Sequence, residues 1–272
     1  MRIYTRSGDL ALKTFTFPDG QPHFKLETYE RDWTVVTIET ALKSPLELFQ
    51  VGLAIDVLRN NGYSEINLDV RYLLAARMDR AIDTMQPYTL QSVARIINSW
   101  GCSKVRLLDV HSEVATRLIR NSENVLPYEV VGQVWETTGK PIIICPDKGA
   151  VERVNKLTPG YDKIYCTKER NPETGALSGF KITDGFYLRD KGRTQDCLIV
   201  DDICDGGGTF IGLAKELRKA GAKKVFLFVT HGIFSKGLPL EGIDAIYTTD
   251  SYQPDTYGFE KIVCIPVSMK EL

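Results

Sequence analysis

The sequence predicts an α/β protein of two packed, related halves with mostly parallel sheets, and three observations carry that expectation. Apolar runs of strand length alternate with amphipathic helical stretches along most of the 272 residues, the pattern of successive β-α-β units. Within CLIVDDICDGGGT, Cys197 to Thr209, the positions Leu198, Ile199 and Val200 are continuously apolar, as in a strand covered on both faces. Gly101 precedes KVRLLDVH as Gly221 precedes KVFLFVTH, so His111 and His231 each lie ten residues beyond a glycine. The halves are expected to divide near residue 125, as 1–125 and 126–272.

The first 32 residues are polar and turn-rich, and FPDG at Phe17 to Gly20 predicts a turn between two short extended segments. TVVTIE, Thr34 to Glu39, is the next strand. Ser44, Pro45 and Glu47 form a helix start, with a capping hydroxyl, proline at the first helical position and an acid three residues on; that helix runs to Gly62. Asn67 to Leu74 reads as a strand, Thr89 to Trp100 as a helix burying Leu90, Val93, Ile97 and Trp100, and Lys104 to Asp109 as another strand. The second half contains the strand PIIICPD, Pro141 to Asp147, and then the glycine segment. No low-complexity linker separates the two.

Composition narrows the classes of function. Lys plus Arg number 34 against 35 Asp plus Glu, a net charge of −1, so no global basic excess points to nucleic acid or an anionic membrane. The cysteines never fall in CxxC spacing, and Cys145, Cys197 and Cys264 sit in or beside apolar runs, which predicts buried thiols rather than zinc ligands or a disulfide framework. No apolar run approaches the ~18 residues of a membrane span, and the amino terminus lacks a signal-peptide core. A soluble cytoplasmic protein is the expectation.

The chemistry concentrates after Val200. Asp201 and Asp202 are expected to mark the strand's carboxyl end, and Gly206, Gly207 and Gly208 allow backbone angles closed to other residues, so amides can approach an anion. Thr209 opens a helix with Phe210, Leu213, Ala214 and Leu217 on its apolar face, and its amino-terminal amides face the loop. No Lys-Ser or Lys-Thr follows the glycines, which excludes a Walker A loop. The acids fall at 201, 202 and 205 rather than at the alternate positions of an EF-hand. Carboxylates beside a phosphate cradle suit ribose hydroxyls and a 5-phosphate.

This segment resembles the binding motif for phosphoribosyl diphosphate (PRPP) shared by type I phosphoribosyltransferases and PRPP synthetases, and four further stretches resemble the PRPP synthetases in the same chain order. FPDGQ, Phe17 to Gln21, resembles their F-S-D-G-E; ARMDR, Ala76 to Arg80, resembles A-R-Q-D-R; LLDVHS carries His111 at a strand end. CPDKGAVER, Cys145 to Arg153, resembles S-P-D-x-G-x-x-x-R, and TKERNPETGALSG, Thr167 to Gly179, resembles the family's catalytic flexible loop. Together they span about residues 15 to 270.

The resemblance implies a type I phosphoribosyltransferase-like fold that moves the β,γ-diphosphoryl group of ATP to the anomeric hydroxyl of ribose 5-phosphate, giving PRPP and AMP. It assigns Lys168, Arg170 and Arg80 to catalysis, and Phe17, Asp19, Arg77, Asp79 and His111 to the nucleotide. Asp201, Asp202, Asp205, Gly206, Gly207, Gly208 and Thr209 hold the ribose phosphate, and His111 and Asp147 contribute to magnesium sites. A homo-oligomer is also implied. The chain departs from the pattern at Gln21, Met78 and Glu169, which touch adenine contacts and loop charge, and most sharply at Gly206, where the family's D-T-G-G-T carries threonine. Loss of that hydroxyl removes a donor worth about 1 to 3 kcal/mol and is expected to leave room for a phosphodiester. ADP-ribose, with the same anomeric hydroxyl and diol, is therefore an alternative acceptor whose product, a 1-diphosphate, suits NAD recovery. Two other readings compete: a type I phosphoribosyltransferase, which has no use for the ATP-side segments, and a catalytically silent relative, against which Lys168 and Arg170 argue.

Overall fold

In the computed structural model, the structure describes residues 1–28, 30, 34–170, 177–182, 195–252, 262–270 and 272, the side chains of 169, 170, 177 and 178 excepted. Two compact units emerge, Met1–Val125 with Ser268–Leu272, and Leu126–Val267. The carboxyl-terminal residues thus belong with the first unit, although the expected second half ran to residue 272. They follow the last strand of the second unit and add no strand to its sheet.

The first unit runs β1 Arg2–Tyr4, β2 Leu12–Thr16, β3 Pro22–Leu26, β4 Val35–Ala41, α1 Pro45–Asn60, β5 Glu65–Tyr72, α2 Thr89–Ser99, β6 Lys104–Leu108, α3 Val114–Leu118 and β7 Ser122–Val125. Its main sheet has the order β1-β4-β5-β6-β7; β4 to β7 are parallel and β1 is antiparallel to β4. Strands β2 and β3 form a separate hairpin whose turn is the FPDG segment, closed by a bond from the Gly20 amide to the Phe17 carbonyl at 2.8 Å. The start of α1 follows from its first residues. The Ser44 hydroxyl accepts the Leu46 amide at 3.2 Å and donates to Glu47, while Pro45 gives up an amide that no helical carbonyl could have met. The buried face of α1 is Leu48, Val51, Ala54, Ile55 and Leu58, each leucine or isoleucine contributing roughly 1.5–3 kcal/mol on burial. Asp69, 1% exposed, is held by two bonds from Arg106 at 2.6 and 2.9 Å and one from the Tyr4 hydroxyl at 3.0 Å, tying β1, β5 and β6 together.

The second unit runs α4 Tyr128–Thr137, β8 Ile142–Cys145, a short 3-10 turn Lys148–Ala150, α5 Val151–Leu157, β9 Lys163–Arg170, β10 Leu177–Ile182, β11 Cys197–Cys204, α6 Gly208–Ala220, β12 Val225–Gly232, β13 Ala245–Thr249 and β14 Ile262–Ile265. Its sheet has the order β10-β9-β8-β11-β12-β13-β14, parallel throughout except for β10 against β9. Every residue of β12 is buried, which explains its unbroken apolar run. On α6, Phe210, Leu213, Ala214 and Leu217 are at most 3% exposed, as the periodicity predicts, and Gly221 ends the helix with φ +106°, a conformation that favours glycine.

Three expectations change. The strand through Leu198 does not stop at the acids: β11 continues to Cys204 because β12 pairs with it out to Gly232. Lys168 and Arg170, expected on a loop, lie in β9, where pairing with β10 extends the strand; residues 171–176 of that stretch lie outside the described residues. Cys264 is exposed, while Cys145 and Cys197 are buried. It sits on β14, which among the described residues is the last strand of the sheet and pairs with β13. Among the described residues no helix is long and apolar enough to cross a membrane.

Candidate functional site

The order of the second sheet determines where ligands can enter. From β8 the chain moves outward to β9 and β10, then returns on the other side of β8 with β11 and moves away through β12. The crevice at the carboxyl ends of β8 and β11 is therefore a topological switch point, the place where parallel α/β sheets bind ligands. The pairing Leu198 with Ile143 and Ile199 with Ile144, carried forward, sets the residues after Cys145 beside Asp201 and Asp202.

Five charged side chains meet there. Asp147 caps the 3-10 turn, accepting the Ala150 amide at 3.1 Å, and its Oδ2 lies 2.6 Å from Lys168 Nζ. Burial alone would raise its carboxyl, but the Lys168 ammonium and the turn amides bring it below the ordinary carboxylate range. Arg153, on α5, pairs with Asp201 and lies 3.7 Å from Asp202. The Asp201 carboxyl is nevertheless raised well above its usual value, first by burial and then by the Asp202 charge, with Arg153 acting in the opposite direction. The crevice thus holds one readily ionised carboxylate beside a lysine and a strained pair of acids beside an arginine.

Beyond β11 the loop turns at Gly207, whose φ of +74° makes glycine the fitting residue, and α6 begins at Gly208. Gly207 has no side chain to occupy the first helical amides, and a Cβ at Gly208 would meet nothing within 4 Å. A strap following β12 lies along the loop. The amides of Ile233 and Phe234 donate to the Cys204 carbonyl at 2.8 and 3.1 Å, the Ser235 hydroxyl donates to Asp205, and Leu240 lies where a Gly207 side chain would be. The Lys236 stem crosses Gly206, 3.1 Å from the position of a Cβ there. The room expected above Gly206 is therefore filled by a lysine stem. His231, paired with His111 in the sequence repeat, is 2% exposed and bonds the Ser251 hydroxyl at 2.8 Å, whereas His111 is exposed in the turn after β6.

The remaining candidates belong to the first unit. Phe17 is 42% exposed at the hairpin tip and packs edge-on to Phe15 with centroids 5.2 Å apart. The Asp19 carboxylate accepts the Gln21 amide at 3.1 Å. Arg77, Asp79 and Arg80 occupy the turn after β5, and the Tyr88 hydroxyl donates to the Asp79 carbonyl at 2.9 Å. Because β5 and β6 are parallel neighbours, this turn and the one carrying His111 leave the same end of their sheet. Arg153 and Lys236 escaped the sequence reading as site residues. Arg153 stood within a quoted motif, but nothing in the spacing disclosed its acid partners; Lys236 carried no signal at all.

Among the described residues no group of three or more His, Cys, Asp or Glu side chains could cage a metal. Magnesium fits nonetheless, because it is commonly held by one or two carboxylates, water and substrate phosphates, and the ionised, partly exposed Asp147 offers such an oxygen.

A mostly parallel sheet with paired acids and a glycine loop at its switch point defines a phosphoribosyltransferase-type domain, and the family model for the phosphoribosyl transferase domain matches residues 128–264. The ribose-phosphate pyrophosphokinase of Pyrococcus furiosus is 30% identical over 227 residues, covering 81% of this chain and 77% of that protein. That of Hyphomonas neptunium is 28% identical over 267 residues, covering 93% and 83%. The crystal structure of phosphoribosylpyrophosphate synthetase from Mycobacterium smegmatis shares the fold, with a TM-score of 0.75 over 94% of this chain and 86% of that one at 18% identity. The chain belongs to the ribose-phosphate pyrophosphokinase family.

Proposed function

We propose that the protein transfers the β,γ-diphosphoryl group of ATP to the anomeric hydroxyl of a ribose 5-phosphate unit, releasing AMP. The observation that carries this reading is the placement of Asp201 and Asp202, followed by the glycine loop, beside the Lys168–Asp147 pair at one switch point. The two acids accept hydrogen bonds from the ribose diol, and the loop amides with the start of α6 take the 5-phosphate. Lys168 exchanges Asp147 for phosphoryl oxygens and, with Arg170, stabilises charge as the bond to AMP breaks, and Arg80 keeps the catalytic role that the family resemblance gives it; positioning and neutralisation suffice, without a covalent nucleophile. Asp147 would contribute to one magnesium site and His111 to a separate one at the nucleotide, and magnesium would supply charge neutralisation of the triphosphate when bound. Phe17, Asp19, Arg77 and Asp79 serve the nucleotide.

Ribose 5-phosphate is the first acceptor, as the names of the relatives suggest. ADP-ribose is the second reading, favoured by the open space at Gly208 and by the absence of a loop hydroxyl at Gly206. A panel of ribose, ribose 5-phosphate and ADP-ribose with ATP and magnesium, scored by AMP release and product mass, tests both. AMP with a product heavier by a diphosphoryl group is expected; ADP as the main product rejects the proposal.

A further inference from the structure

We propose that Lys236 is a specificity-determining residue of the glycine loop, its ammonium donating to a phosphoryl oxygen carried on ribose C5. The inference rests on the ribose-phosphate reading above and names a contact within that site. Three observations lead to it. The strap from Ile233 to Leu240 follows the loop residue by residue: Ile233 and Phe234 bond Cys204, Ser235 bonds Asp205, Lys236 covers Gly206, and Leu240 covers Gly207. Backbone bonds to Cys204 and the Gly237 amide on the Phe234 carbonyl at 2.8 Å hold the strap in that register. The lysine stem is thus laid down by the fold.

The second observation is how closely the stem follows the loop. Its Cγ, Cδ and Cε lie 3.4, 3.1 and 3.2 Å from where a Gly206 Cβ would be, so the stem runs along the loop and the ammonium is one bond beyond Cε. The third is charge. Asp205, the loop's own acid, accepts the Ser235 hydroxyl, while no ion pair of Lys236 occurs among the described residues. A cation beside amides at the start of α6 makes an anion site of two independent parts, a point charge and a set of fixed dipoles. At Gly207 the neighbour is the apolar Leu240, so the lysine is the charged group that the strap lays against the loop.

The test compares wild type with Lys236→Met, which keeps the stem and removes the charge, Lys236→Arg, which keeps the charge, and the double variant Lys236→Ala with Gly206→Thr. Calorimetry without ATP, using ribose, ribose 5-phosphate and ADP-ribose as probes, is read beside the acceptor KM and kcat. Lys236→Met is expected to weaken a phosphorylated ligand by about 10- to 100-fold, with ribose unchanged and the loss in KM rather than kcat. Lys236→Arg should recover most of that loss. In the double variant a threonine hydroxyl, no longer obstructed by the stem, should recover part of it. A loss confined to ribose 5-phosphate assigns Lys236 to a terminal phosphate; a loss with ADP-ribose as well assigns it to the shared phosphoryl oxygen. Wild-type affinity for both ligands in Lys236→Met overturns the inference, as does failure of the wild type to bind either. Binding that depends on Lys236 without any AMP formation would leave the inference standing and remove the proposed reaction.

Discussion

Lys168 Nζ and Asp147 Oδ2 lie 2.6 Å apart, which joins the strand carrying the proposed catalytic cations to the turn carrying the proposed magnesium ligand. Each group holds the other in place. Lys168→Ala and Arg170→Ala are each expected to lower turnover by about 100-fold or more while changing ATP affinity modestly, as for charges that act in the transition state. Steady-state kinetics with direct ATP binding checks this, and near-normal kcat in both variants would remove the catalytic assignment.

Asp201 and Asp202 are expected to serve the acceptor. Asp201→Asn or Asp202→Asn should weaken the acceptor more than ATP, measured as separate dissociation constants. Equal weakening of the two ligands contradicts the assignment.

The raised carboxyl of Asp201 also has a consequence for stability. Its folded value exceeds the unfolded one, about 3.9 for aspartate, so its contribution is fullest below that pH and is lost as the pH rises through the folded value. Asp201→Asn lacks this loss. Its melting temperature should match wild type near pH 4 and exceed it at neutral pH; a difference that does not grow with pH refutes the point.

Arg153 opposes the upward shift at Asp201. In Arg153→Met the carboxyl should ionise at a still higher pH, moving the acid limb of kcat/KM for the acceptor upward. A pH profile superimposable on wild type would show that Arg153 does not govern the state of the acid.

Gly207 combines φ +74° with a side-chain position already filled by Leu240. Gly207→Ala is expected to cost about 1–3 kcal/mol through packing alone and to abolish measurable acceptor binding, checked by denaturant unfolding and calorimetry. Unchanged binding would show that the loop tolerates a different turn.

The sequence alone determined the alternation of strands and helices, the start of α1 at Ser44 and Pro45, the buried face of α6 and the turn at Phe17 to Gly20. All of these depend on interactions between residues close in the chain, through helical period, local caps and backbone freedom. The resemblance extended that reading to the family, and the acids and glycines from Asp201 to Thr209 were legible because they are contiguous. Tertiary structure alone decided the rest. Asp201 meets Arg153, and Gly206 meets Lys236, only because β11 lies between β8 and β12, which brings distant turns to one sheet end. The same pairing carried β11 past its acids to Cys204 and drew Lys168 into a strand, since neighbouring strands supply backbone partners that no local pattern announces.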